Sequence, residues 1–245
     1  MGDMPHLGVS TTTEADRTLT TTLRTQLNAE RTEATRARLL RHARAVFEKR
    51  GYGAASVADI VNASGLARGT FYVHFKSKRE IFIAVVHSVR ADLLEGQMRP
   101  MDGTGTVHET IRFAIEQYLR AYKTSARMIN LIEEISISDR VVRAAWMETR
   151  DLLQANTVHA LGRLRERGLA DFEGDPRMMA LIVGGMVERM GSIRYVLGYA
   201  FEDEEYFESI TSGYLDGARI HGDVPIEEAR RSGPASRAPA RRKRS

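Results

Sequence analysis

The chain has 245 residues, 36 Lys+Arg against 32 Asp+Glu, a net charge of +4 and 42% hydrophobic residues, enough for a core in one or two domains. It has no cysteine, which excludes disulfides, thiolate metal sites and cysteine nucleophiles and fits a reducing cytoplasm. No apolar run reaches the roughly 18 residues of a membrane span, and the N-terminus lacks the apolar centre of a signal peptide.

Residues 1–30 are Thr-rich (STTTEADRTLTTTLRT) and read as a flexible arm, with the stretch from Thr25 able to extend the first helix. That helix is expected over about Thr35 to Arg50, with Leu39, Leu40, Ala43, Val46 and Phe47 as its buried stripe and Gly51 as its stop. Residues 56–75, SVADIVNASGLARGTFYVHF, carry two short helical patterns broken by one glycine. Ser56 is placed to cap a helix start, and Asp59 stands three residues on, where a carboxylate suits free N–H groups. Val57, Ile60 and Val61 share one face, Gly65 can take the left-handed conformation that ends a helix, and Leu66, Phe71 and Phe75 continue the apolar pattern. Two helices joined by such a turn have the helix-turn-helix layout, whose second helix enters the DNA major groove. Ser77 and Glu80 then form a capping-box signal for a fourth helix, with Ile81, Phe82, Val85, Val86 and Val89 on its apolar face.

The run from RARLLRHARAVFEKRGYGAASVADIVNASG through LARGTFYVHFKSKREIF resembles the tetracycline-repressor (TetR) family of bacterial transcription regulators, over about a quarter of the chain. Its G-T-F-Y-x-H-F-x-S-K segment is specific at that length. Ala67 departs from the pattern, standing where a capping hydroxyl is common. Charge agrees with a DNA role. Residues 31–90 hold 12 Lys+Arg against 4 Asp+Glu, and residues 91–221 hold 15 against 21, a cationic module on an acidic body. The bland alternative for that charge is a solvated helix face. Within the second motif helix, Arg68 is the long donor suited to guanine or phosphate, Thr70 can meet a thymine methyl or a phosphate, and Gly69 allows close approach. The resemblance implies phosphate contacts for Tyr72, His74, Lys78 and Ser56. Half-buried packing for Tyr72 and a helix-end carbonyl bond for His74 stay open.

Few prolines and little strand-like alternation predict an all-α fold. The resemblance implies an N-terminal three-helix DNA-binding domain (31–90) and a larger helical domain (91–221) that binds a ligand and dimerises. Residues 100–106, PMDGTGT, read as a linker. Beyond it, Val107, Ile111, Ala114, Tyr118 and Tyr122 form one stripe, and Met128, Leu131, Ile132 and Ile135 a second. A long helix is expected over about 139–167, another from Asp175-Pro176 to about Leu197, and a last one over about 204–220. Three glycines in MMALIVGGMVERMGSIRYVL each cost a helix roughly 1 kcal/mol against alanine, which suggests close approach by another helix. The resemblance places a homodimer face there, near Ile182, Gly185, Met186, Arg189, Met190 and Ile193; packing within one subunit is the alternative. It also implies a small apolar or amphipathic effector. Phe113, Tyr118, Tyr122, Met128, Trp146 and Met147 are candidate lining groups, and Asn130, Glu134, Asn156 and His159 candidate polar contacts; ordinary core packing is the alternative for each. Residues 222–245 read as a disordered basic tail.

The seven histidines show no metal-ligand spacing, and no phosphate loop or nucleophile elbow appears, so neither metal, cofactor nor catalytic residue is expected. The expected partners are a double-stranded DNA operator, a second copy of the chain and a small effector, with no membrane. Two other readings remain: a helical ligand-binding protein or enzyme with a merely structural basic segment, and a sequence-indifferent DNA-packaging protein.

Overall fold

The computed structural model describes residues 14–98 and 105–225. Their regular structure is helical: α1 (Glu14–Ala54), α2 (Val57–Ser64), α3 (Arg68–His74), α4 (Lys78–Met98), α5 (Val107–Ser138), α6 (Arg140–Glu166), α7 (Pro176–Tyr195) and α8 (Asp203–Gly217). Among the described residues no helix is long and apolar enough to cross a membrane.

The first helix corrects the expected arm. It begins at Glu14, about twenty residues before the expected start, although residues 23–34 are exposed. The segment holds neither glycine nor proline, and once a helix is nucleated each further residue adds a hydrogen bond at little entropic cost. The Thr32 and Thr35 hydroxyls fold back to the carbonyls of Asn28 and Arg31, so they do not compete with the ladder. Residues 1–13 lie outside the described residues. Gly51, at φ 72° and ψ 166°, breaks the helix after Arg50, and Tyr52 turns back to lie 4.7 Å from the Phe82 ring.

The α2 cap forms as its sequence predicts. The Ser56 hydroxyl accepts from the Asp59 N–H, the Asp59 carboxylate accepts from the Ser56 N–H, and Gly65 ends the helix at φ 63°. Ala67 gives α3 no side-chain cap. At α4 the Ser77 hydroxyl takes the Glu80 N–H, but the Glu80 carboxylate reaches the N–H of Lys76 rather than that of Ser77.

Beyond α4 the sequence expected two helical stripes, and the structure joins them in the single 32-residue α5, since nothing between Tyr122 and Met128 breaks a helix. The linker ends at Thr106, which caps α5 with Glu109 in a capping box; residues 99–104 lie outside the described residues. The expected tail begins later than Gly222. The carbonyls of Gly222 and Val224 accept the N–H groups of His108 and Val107, donors that the first turn of α5 leaves free. Residues 226–245 lie outside the described residues.

One apolar core runs from Leu39, Phe47, Ile60 and Phe71 through Phe82, Val86 and Leu93 of α4 into Leu119, Met128, Ile132 and Trp146. The fourth helix thus belongs to both halves. Its crossing with α5 depends on Gly96, where an added Cβ would stand 2.7 Å from the Ala121 Cβ. A smaller core around Leu161, Phe172, Val183 and Leu215 closes the far end.

Candidate nucleic-acid interface and cavity

The short helix α3 is held by Phe71 and Phe75, which are 0% and 2% exposed. Losing a fully buried phenylalanine costs about 3–5 kcal/mol, so these two rings fix the helix about its axis. With 71 and 75 inward, helical geometry turns 69 and 73 to the opposite face and 72 to its flank, while Arg68 is free as the first residue of the helix. Arg68 and Gly69 are exposed, Tyr72 is half exposed, and Thr70 is partly buried. No atom lies within 4 Å of a Cβ built on Gly69, so nothing in the protein requires a glycine there. Arg68 rests with its guanidinium 5.9 Å from the Tyr72 ring, a contact weak enough to exchange for a base or phosphate. Val73 is 80% exposed, the most exposed large apolar side chain of the module, and it was not among the residues expected from sequence. Its signal was there: it lies four residues beyond Gly69 on the face opposite the phenylalanines. Ser56 is exposed at the start of α2, and its hydroxyl already serves the cap. His74 is half-buried at the end of α3.

Lys78 requires a correction. Its ammonium donates to the carbonyls of Tyr52 (2.7 Å), Ala55 (2.8 Å) and Gly53 (3.3 Å) and lies 4.6 Å over the Tyr52 ring. All three donors are engaged within the domain. Lys78 closes the C-terminal end of α1, where helix carbonyls lack partners and a cation is favoured, so a phosphate would have to draw its ammonium away from these carbonyls.

The two halves are tied by arginines. Arg44 of α1 donates to Asp92 on α4 (2.9 Å) and to the Thr124 carbonyl and Ser125 hydroxyl on α5 (both 2.9 Å), and pairs with Glu48 at 3.0 Å. Arg79 pairs with Asp139, the cap of α6, at 2.8 Å, and Arg90 with Glu148 at 2.9 Å. These contacts join α5 and α6 to α1 and α4.

Between α4, α5, α6, α7 and α8 lies a cavity of about 250 Å³, with apolar walls of Ile111, Ile115, Leu153 and Val187 and polar groups from Gln97, Tyr118, Gln154, Asn156 and Glu188. Of the candidate effector residues, Tyr118 and Asn156 line it. The others do not. Met128 (0% exposed) and Trp146 (6%) are core, and Tyr122 packs against Gly191, where a Cβ would meet its ring at 3.1 Å. Met147 and His159 are exposed, as are Asn130 and Glu134, and Phe113 is half-buried outside the cavity. Aromatic and methionine content could not separate core from cavity, because both are apolar. Gln97, Gln154, Glu188 and Tyr214 were missed, since amphipathic spacing marks an inward face without saying whether that face is filled. Burial, then the Glu188 charge, push the Tyr118 phenol well above its ordinary range, so it stays protonated and donates to Glu188.

The glycines of α7 divide by role. Gly191 is buried against Leu119 and Tyr122 and serves packing within the subunit, while Gly184 stands against the Gln154 amide at the cavity wall. Only Gly185 faces open space, with no atom within 4 Å of a Cβ there. Ile182 (56%), Met178 (60%) and Leu181 (44%) are exposed on the same helix, as is Arg189. Met186 and Met190 lean partly buried on the core, and Ile193 is half-buried.

Comparison with known proteins agrees with this geometry. Residues 39–85 match the family model described as bacterial regulatory proteins, tetR family. The chain is 29% identical over 202 residues to the HTH-type transcriptional regulator YfiR of Bacillus subtilis, covering 80% of this chain and 94% of that one. It is 30% identical over 99 residues to the HTH-type transcriptional activator FasR of Mycolicibacterium smegmatis, covering 40% of this chain and only 45% of that relative's length. The fold matches the flavonoid-responsive regulator FrrA (TM-score 0.61, 22% identity, 75% of this chain and 94% of that one). It also matches the TetR family transcriptional regulator PfmR of Thermus thermophilus (TM-score 0.57, 22% identity, 73% and 94%). The helix-turn-helix held on its phenylalanines, residues 39–85, is thus that of the tetR family of bacterial regulatory proteins, and the helical body behind it shares the fold of these solved regulators.

Proposed function

We propose that the protein is a sequence-specific transcriptional regulator that binds a palindromic double-stranded DNA operator as a twofold dimer and is released by a small molecule seated in the cavity. The observation that carries this reading is the outward face of α3, where Arg68, Gly69, Tyr72 and Val73 stand exposed on a helix fixed by Phe71 and Phe75. In this reading residues 31–90 form the DNA-binding unit, with α1 extending before it, and residues 91–221 carry the cavity and the dimer face. Arg68 reads a base edge or grips a phosphate, Thr70 and Val73 meet thymine methyls, and Tyr72, His74 and Ser56 touch phosphates. The exposed stripe of Met178, Leu181, Ile182 and Gly185 on α7 supports the dimer, since a contiguous apolar patch is costly in water. Control requires a ligand that prefers a dimer whose recognition helices are misplaced. Arg44, Arg79 and Arg90 supply a physical link from the cavity helices to the recognition unit.

The test is selection of binding sites from random duplex DNA with wild type and Arg68→Ala. The wild type should return an inverted repeat, and the variant the same repeat with one base pair per half-site relaxed, by roughly 1–3 kcal/mol per contact. Binding without sequence preference would instead favour a DNA-packaging role.

A further inference from the structure

The cavity carries a chemical signature of its own, and its role as an effector site rests on the regulatory reading proposed above. Among the described residues no lysine, arginine or histidine lines it, and the one charged lining residue is Glu188. Glu188 is held from behind by Arg150, whose Nη2 lies 2.7 Å from one carboxylate oxygen. That guanidinium also faces Glu133 at 3.8 Å, so one cation serves two carboxylates and none of its charge is left over for a ligand anion. The other Glu188 oxygen has only the Tyr118 hydroxyl, at a long 3.5 Å. The Asn156 amide donates to the Gln97 carbonyl oxygen at 3.2 Å, and the Gln97 amide donates to the Leu153 carbonyl at 3.4 Å. Gln154 differs. Its amide lies flat against α7 at Gly184, where a Cβ would come within 3.2 Å, and its carbonyl oxygen is buried with no hydrogen-bond partner. Native proteins rarely leave such an acceptor empty without a ligand, an ion or water to fill it. A cation would serve two acceptors equally well, but Arg150 already occupies that role beside Glu188. The volume of about 250 Å³ suits a compact ligand.

We infer that the cavity binds a small, uncharged amphipathic molecule that donates hydrogen bonds, a phenol or alcohol on a compact apolar body, with Gln154 and Glu188 accepting, and that it rejects carboxylates. Gly184 and the unpartnered Gln154 amide thus form a donor-recognition element rather than a packing defect.

The experiment uses the full-length protein and two matched sets of probes: 4-propylphenol, 4-propylanisole and 4-propylbenzoate, and 3-phenylpropanol, its methyl ether and 3-phenylpropanoate. Binding is followed by titration calorimetry and ligand-observed NMR. The donor of each set should bind at least tenfold more tightly than its ether, and the carboxylates should not bind. Gln154→Leu, close in volume, should lose most of that preference while melting no lower than wild type. Gln154→Glu keeps an acceptor and should retain the preference, which guards against a leucine variant that fails to fold. A carboxylate that binds as tightly as its donor partner, a donor preference below tenfold, or no binding of any probe up to millimolar concentration overturns the inference. Operator release is measured separately by fluorescence anisotropy. Donor binding without release would sink the regulatory reading and leave the ligand class standing, whereas release by the carboxylates alone would do the reverse.

Discussion

Replacing Lys78 by methionine keeps the aliphatic stem and removes the ammonium, which separates a structural role from a phosphate contact. In the structure Nζ donates at 2.7, 2.8 and 3.3 Å to three carbonyls where α1 ends and lies over the Tyr52 ring. A hydrogen bond from a charged donor contributes about 1.5–3 kcal/mol. The longest of the three goes to the exposed Gly53, where water can substitute, so two bonds at the low end of that range give about 3 kcal/mol. The cation–π contact adds about 0.5–1 kcal/mol. For a chain of this size each kcal/mol moves Tm by about 2–4 °C, so Lys78→Met should lower it by roughly 10 °C. Melting by circular dichroism, at equal protomer concentration because dimerisation shifts Tm, reads this directly. Below the transition the variant should bind operator with an unchanged slope of log affinity against log salt. A phosphate contact predicts the opposite pair of results: Tm within about 2 °C of wild type, and a slope shallower by about 0.9 per half-site. That outcome would refute the assignment of Lys78 as the closure of α1.

Other substitutions separate roles that sequence alone merges. Gly185→Leu has open space around its Cβ and should leave the subunit folded, yet sedimentation should show monomers that bind operator poorly; a variant that stays dimeric moves the interface elsewhere. Gly191→Leu, by contrast, drives a side chain into Leu119 and Tyr122 and should lower Tm, overpacking of a filled core costing about 1–3 kcal/mol. Trp146→Ala should destabilise by about 3–5 kcal/mol, because the ring is 6% exposed and lies outside the cavity; calorimetry that finds ligand binding lost with Tm unchanged would contradict this. Burial, then the Arg90 charge, hold the His87 imidazole below its usual value against the opposing pull of Glu148, and its Nδ1 is buried without a partner. With the folded value below the unfolded one of about 6.5, this site contributes stability above that pH and loses it as pH falls through the folded value. His87→Leu should therefore flatten the fall in Tm between about pH 7 and pH 5, and parallel melting curves for the two proteins would count against that account.

What could be read from the residues was local. Ser56, Asp59 and Gly65 fix the ends of α2 because a cap is satisfied by groups within four residues, and Phe71 with Phe75 orient α3 because their spacing is that of one helix face. The same locality explains why the all-α class, the helix-turn-helix and its family were legible, and why α7 could be started at Asp175-Pro176. The long reach of α1 was hidden because propagation of a helix through exposed residues leaves no amphipathic stripe. Only the tertiary structure could say what each inward face meets. Lys78 finds the carbonyls of Tyr52 and Ala55, more than twenty residues away, and a basic residue at a helix start carries no mark of that closure. Trp146 and Met128 fill a core while Gln154 and Glu188 edge an empty space, though all four sit on helices of similar pattern. The three glycines of α7 look alike in sequence, but Gly191 meets α5, Gly184 meets a glutamine and Gly185 meets nothing. Periodicity reports which way a side chain points, and it takes the packing of α4 through α8 against one another to decide whether that direction leads to a filled core, a cavity or a second subunit.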